Sequence, residues 1–324
     1  MTAVTTAAAA PQTGGQAPGR PGGRLREALR SRRLVAGLCI VGFFVLLGVI
    51  GPFFAQNPEA LSRATYQAPS AAHWLGTTQT GQDVLAQLVV SARASLIIGF
   101  GAGLVATVIS VLIGITGGYV GGFVDEALSL FSNVVLVIPT FPLIIVTFAY
   151  VRQGNLTALI IVIALTSWAA SARVLRAQTL SVRNREYVLA ARAGGERAWR
   201  IVLVEILPNE LAIIVSQFIF AVVFAILTQA TIAFLGVVDV NLLTWGNMLY
   251  FAWNDEALQS GAWWWFLPPG VCIALLGMGL ALINFSLDEL LNPRLRVYRP
   301  PGKRPDRTHP DRTHPPAARA ATRQ

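Results

Sequence analysis

Lysine is almost missing from this sequence. Lys303 is the only one, and Arg304 follows it. A nucleotide-binding P-loop needs a Gly-rich turn closed by Gly-Lys-[Ser/Thr], because the lysine reaches the phosphates and the hydroxyl holds magnesium. The chain therefore cannot hydrolyse ATP by that route. Charge as a whole is scarce, at 13% of 324 residues, and none of it falls within the long apolar runs. Pumps and ion-coupled carriers keep ionisable groups in the membrane to move protons, ions or voltage, so self-powered transport is excluded. No HExxH or GxSxG occurs, and no carboxylate pair sits on an accessible loop, which leaves no catalytic set. The two cysteines, Cys39 and Cys272, lie in separate apolar runs without CxxC or metal spacing and read as small core residues.

What the chain has is apolar length. Hydrophobic residues make up 54% of it, more than one water-soluble core of this size could bury. They gather into six windows, each long enough for the ~20 residues that cross ~30 Å of hydrocarbon. These predict helices at Leu34–Phe54, Ala94–Tyr119, Leu128–Tyr150, Leu156–Ala172, Leu211–Leu235 and Trp264–Leu287. The first is too long for a signal peptide and has no small-residue cleavage pattern behind it, so it is expected to persist. The fold class is all-α, a polytopic membrane protein of about six transmembrane helices.

Charge placement orients the chain. Of the basic residues behind the net +9, six precede the first window (Arg20 to Arg33), seven lie between Arg173 and Arg200, and nine follow the sixth window. The alternate connections are nearly bare, with Arg63, Arg93 and Arg152 only, and Gly236–Trp263 carries Asp239, Asp255 and Glu256 but no base. This is the positive-inside pattern. It places both termini and Arg173–Asn209 in the cytoplasm. The same distribution argues against nucleic-acid binding, since the bases follow topology and lack an aromatic-studded patch.

Residues 1–33 form a basic cytoplasmic tail rich in Ala, Gly and Pro and expected to be disordered. The first helix, 34–54, is followed by an extracytoplasmic connection at 55–92, a permease core at 93–287 and a second basic cytoplasmic tail at 288–324, disordered from about 299. The tandem Pro-Asp-Arg-Thr-His of that tail, with His309 and His314, reads as low complexity rather than a metal site. In the second window glycines recur at four-residue spacing, so backbones can pack closely. Pro139 and Pro142 should kink or unwind the third. Trp263, Trp264 and Trp265 read as an interfacial anchor.

The most informative segment is the loop 183–209, containing Glu186-Tyr187-Val188-Leu189-Ala190-Ala191-Arg192-Ala193-Gly194-Gly195 and Ile206-Leu207-Pro208. Gly194 and Gly195 permit a sharp turn with positive φ between two short helices, and Pro208 suits the opening of the next. The loop resembles the EAA loop of binding-protein-dependent ABC importer permeases, with Ala190, Ala191, Gly195, Leu207 and Pro208 on the pattern. Leu189 stands where that pattern has Glu, and Glu205 where it has Ile. Glu186 and Arg192 are the nearby charges that could substitute.

Four further segments carry a resemblance to the second permease of oligopeptide, dipeptide and nickel importers. They are His73–Thr77 with Gly81–Val84 and Ser91–Leu96, Gly118–Asp125, Phe234–Gly236 with Thr244–Leu249, and Asp288–Arg296. In the first, Thr78 and Gln82 replace the Asp and Arg common in peptide systems.

The resemblance implies a type-1 ABC importer permease architecture in a bacterial plasma membrane, forming half of the translocation path, with Glu186, Ala190, Ala191, Arg192, Gly195, Leu207 and Pro208 coupling it to an ATPase. It implies as partners a second permease subunit, two ATP-binding subunits, an extracytoplasmic substrate-binding protein and membrane lipid. ATP and magnesium would belong to the ATPase, with no cofactor or metal in this chain. The implied substrate is an oligopeptide or dipeptide, with an oligosaccharide or glycoside as the alternative. A self-contained channel or facilitator is the rival class, and it offers no reason for the 183–209 loop. No charged residue marks the substrate path.

Overall fold

The computed structural model describes residues 31–150 and 156–291. Arg152, His309, His314 and most of both tails lie outside these residues. Helices are the regular elements of the described residues, with one isolated bridge between Thr77 and Asp83 in the irregular 55–83 segment.

Helix α1 (Arg32–Phe54) starts where the Ser31 hydroxyl accepts the Leu34 N–H. Helix α2 (Val84–Val120) begins ten residues before the apolar window, because the Asp83 carboxylate caps the Ala86 N–H at 2.8 Å. Nine residues assigned to the connection are thus its first turns. Helices α3 (Gly122–Val137) and α4 (Thr140–Tyr150) divide the third window, and their axes differ by 80°. The break falls at Ile138 and Pro139. Proline has no N–H and its ring disfavours helical φ/ψ in the residue before it, which explains the site.

Helix α5 (Leu156–Val182) extends ten residues past its window. A short α6 (Glu186–Ala193), a single turn α7 (Ala198–Arg200) and a π-helical stretch Ile201–Ile206 lead into α8 (Leu207–Phe234). After α9 (Trp245–Asn254), α10 (Trp263–Leu291) closes the bundle. Among the described residues five helical stretches are long and apolar enough to cross a bilayer, and the bent α3–α4 pair would make a sixth.

Lipid removes most of the hydrophobic drive for helix association, so close packing and interhelical hydrogen bonds must supply it. The glycines of α2 serve this. A Cβ on Gly114 would stand 2.5 Å from the Ala172 carbonyl oxygen of α5. The Ser110 hydroxyl, on the same face, lies 2.7 Å from the Trp168 carbonyl oxygen. Helix α2 is the central post, packed against α5 and α8, while α1 and α10 pair along one flank.

The short α9 is not legible as an apolar window, yet it is wedged into the bundle. Thr244 caps it, accepting the Asn247 N–H, and Trp245 is buried with its indole N–H donated to the Leu88 carbonyl at 3.0 Å. The tryptophan triplet departs from a simple anchor. Trp263 is exposed, but Trp264 and Trp265 are buried against the 55–83 segment, with the Trp264 indole 3.3 Å from the Thr77 carbonyl. Cys39 is exposed on α1 rather than in the core, and Cys272 is half-buried.

Candidate functional site

At the arginine-rich end of the bundle α6 projects from the chain reversal after α5. Its eight residues are too few to be stable alone, so tertiary anchoring must hold it. That anchor is Val188, fully buried with Ile115 of α2, Val182 of α5, and Ile201 and Ile206 of the π stretch, with Ala191 half-buried one turn on. The opposite face is free: Glu186, Tyr187, Leu189, Ala190 and Ala193 are exposed. Leu189 is 48% exposed, so the surface offered here is apolar where a charge was expected from the resemblance. Glu186 opens the helix, where a carboxylate complements the helix dipole.

Gly195 ends this element with φ +76°, and its N–H bonds to the Arg192 carbonyl at 3.0 Å. Gly194 remains in the right-handed region at φ −72°, so only one of the two glycines makes the left-handed turn. Arg192 points back toward the bundle, with its guanidinium over the Tyr119 ring.

Pro208 lies in the first turn of α8, as expected, but the helix does not start there. The helical path is continuous from Ala198 to Phe234. A proline ring collides with the carbonyl four residues back in an α-helix. Here the turn is widened to five-residue bonds, with the Leu207 N–H reaching the Val202 carbonyl, which relieves that collision. Leu207 is half-buried in the Val188 cluster and Pro208 is exposed. The structure therefore brings Glu186, Ala190 and Leu189 onto one exposed face, sets Ala191 and Leu207 beneath it, and turns Arg192 away. Val188 and Tyr119, which hold the element in place, were not recognised as site residues. Val188 and Ala191, spaced three apart, were the available signal.

Polar ties brace this end. The Arg176 side chain of α5 holds Asp125 of α3 through two parallel bonds, Nε to Oδ1 and Nη2 to Oδ2, the second at 2.8 Å. Arg183 donates to the Gly118 carbonyl at 2.9 Å and Arg173 to the Asn133 amide oxygen at 2.5 Å. Glu196 and Arg200 pair on the exposed turn. At the other end, His73 Nδ1 lies 2.8 Å from Asp83 Oδ2, and the Tyr66 hydroxyl donates to the Asp255 carbonyl at 2.5 Å, tying the 55–83 segment to the 236–263 connection.

Long apolar helices around a central post, carrying a small exposed helix on an apolar pivot, mark a multi-pass membrane protein. The model of the family described as binding-protein-dependent transport system inner membrane component matches residues 84–297, and the chain belongs to that family. It is similar to the dipeptide transport system permease protein of Bacillus subtilis (strain 168), at 32% identity over 276 residues covering 84% of this chain and 85% of that one. The oligopeptide transport system permease protein of the same organism is 30% identical over 274 residues, covering 82% and 88%. That of Mycobacterium bovis (strain ATCC BAA-935 / AF2122/97) is 32% identical over 282 residues, covering 85% and 95%. The chain is the permease subunit of an ATP-driven importer and not an enzyme; ATP hydrolysis belongs to a separate subunit.

Proposed function

We propose that this permease admits short peptides and that α6 is the element through which the partner ATPase drives it. The single observation that carries the coupling role is the geometry of α6: an exposed face of Tyr187, Leu189 and Ala190 on a helix pinned to α2, α5 and the π stretch through Val188. A push on such a face moves the helices behind it as a body, because a packed core transmits strain. The family pattern at Ala190, Ala191, Gly195, Leu207 and Pro208 supports the same reading. The peptide assignment rests on the relatives, whose names are those of dipeptide and oligopeptide permeases.

In this reading both termini and α6 face the cytoplasm of a bacterial cell, as the arginine distribution favours. A second permease completes the path, two ATP-binding subunits dock below, ATP and magnesium are held there, and an extracytoplasmic binding protein delivers substrate. The test is purification of the chain from its host in mild detergent, with mass spectrometry of what accompanies it, for wild type and Leu189→Arg. Recovery of an ATPase and a second permease with wild type is expected, with ATPase recovery falling about tenfold, or ~1.4 kcal/mol, for the variant. Recovery of the wild-type chain alone, still conducting when reconstituted, would instead establish a self-contained facilitator. Competition of radiolabelled dipeptide uptake by peptides but not by oligosaccharides checks the substrate class.

A further inference from the structure

We infer that Glu210 is a proton-binding site: a neutral carboxylic acid whose O–H is donated to Thr179, fastening α8 to α5 directly behind the α6 pivot. Glu210 lies in the first turn of α8 and is 0% exposed within this one chain. No partner subunit or lipid headgroup can therefore reach it without the fold opening. Its Oε2 is 3.0 Å from the Thr179 hydroxyl, and its Oε1 is buried without a hydrogen-bond partner.

Proton counting favours the neutral acid. A threonine hydroxyl has one proton to give. The Thr179 oxygen lies 2.9 Å from the Leu175 carbonyl and 3.0 Å from Glu210 Oε2, so two acceptors compete for one hydrogen if the glutamate is ionised. If Glu210 carries the proton, each bond has its own hydrogen, Glu210 to Thr179 and Thr179 to Leu175. The empty Oε1 agrees. An ionised carboxylate needs donors on both oxygens when desolvated, whereas the carbonyl oxygen of a neutral acid tolerates their absence at far lower cost.

The charged groups on the packed elements do not compensate it. On α5, Arg176 is held by Asp125 of α3 and Arg183 by the Gly118 carbonyl. Arg192 of α6 stacks on Tyr119 of α2, Asp288 of α10 lies by Ser216, and Glu205 in the π stretch has the same sign as an ionised Glu210. Thr179 packs directly on the Gly118 backbone of α2, where a Cβ added to the glycine would stand 2.7 Å from the Thr179 Cβ.

The test is infrared spectroscopy of the full-length chain in lipid nanodiscs, in deuterated buffer at neutral pH. The expected result is a protonated-carboxyl carbonyl band in wild type that is missing from Glu210→Gln. Absence of the band from wild type, or its persistence in Glu210→Gln, would overturn the assignment. Should Glu210→Gln fail to fold, Thr179→Val replaces it. The band then shifts in frequency because its acceptor is gone, and an unshifted band would equally refute the site.

Discussion

The Arg192 guanidinium lies 4.8 Å from the centre of the Tyr119 ring, joining the exposed helix α6 to the last turn of the central post α2. A cation held over an aromatic face at an exposed site contributes about 0.5–1 kcal/mol, small beside a packed core but large beside the stability of an eight-residue helix. Tyr119→Ala is therefore expected to raise amide exchange across Glu186–Ala193 about twofold to fivefold, in line with that energy, while leaving α2 and α5 protected. Hydrogen–deuterium exchange with mass spectrometry measures both. Unchanged exchange in α6 would mean that Val188 alone sets its position.

Gly195→Pro tests the turn itself. Proline fixes φ near −65°, whereas Gly195 stands at +76° and donates its N–H to the Arg192 carbonyl. The variant should insert at normal abundance but lose ATP-dependent uptake, because α6 can no longer hold its angle to α7. Normal transport at normal abundance would remove this loop from the coupling path.

Gly246→Val should damage stability severely, because Gly246 is buried where α9 is wedged against α8. A Cβ there would meet the Ala233 Cβ at 2.7 Å and the Ala230 Cα and carbonyl oxygen at 2.9 Å, and backbone atoms of α8 cannot rotate away. Overpacking of this kind costs about 1–3 kcal/mol. Thermal unfolding in detergent should show a lowered Tm with loss of tryptophan fluorescence character from Trp245. An unshifted Tm would mean that α9 is free to move outward.

The Asp125–Arg176 pair gives a charge test. Both side chains are largely but not fully sheltered, at 14% and 32% exposed, so solvent screening reduces their coupling from that of a dry pair. Arg176→Gln alone leaves an uncompensated carboxylate and should destabilise by about 1–2 kcal/mol. Arg176→Gln combined with Asp125→Asn should recover most of this. A double variant as unstable as the sum of the singles would show that the two residues act independently.

Five of the six predicted windows correspond to continuous helices, because lipid imposes one simple demand, an uncharged run of sufficient length, which single residues rarely disguise. What the windows hid lies at their ends. Asp125, Arg173, Arg176 and Glu210 all belong to helices that outrun the apolar stretch, since capping and tertiary packing, not hydropathy, set where a helix stops. Glu210 fell one residue outside the predicted window, so its burial passed unseen. Pro139 did mark a disruption, but nothing local distinguishes a modest kink from an 80° turn, which depends on what α5 and α2 leave room for. Helix α9 was missed because it is ten residues long and polar at its ends. The candidate coupling residues were legible through spacing, while the pivot that gives them leverage, Val188, is an ordinary valine in sequence and acquires its meaning only from the four buried side chains folded around it.

The elbow at Ile138 and Pro139 has a bearing on where this subunit keeps its dry and wet sides. The carbonyls of the last turn of α3, residues 134–137, have no following amides in register to receive, and Pro139 has none to give. Hydrocarbon cannot satisfy such groups. The outward flank formed by Leu136, Val137, Ile138 and Phe141 is uncovered by the rest of the chain although it is apolar. Apolar side chains alone would suit lipid, but a broken backbone does not. At hydrocarbon depth this corner is therefore expected to turn toward another polypeptide or a hydrated lumen, which would give the bundle an inner and an outer wall before any second subunit is brought to it.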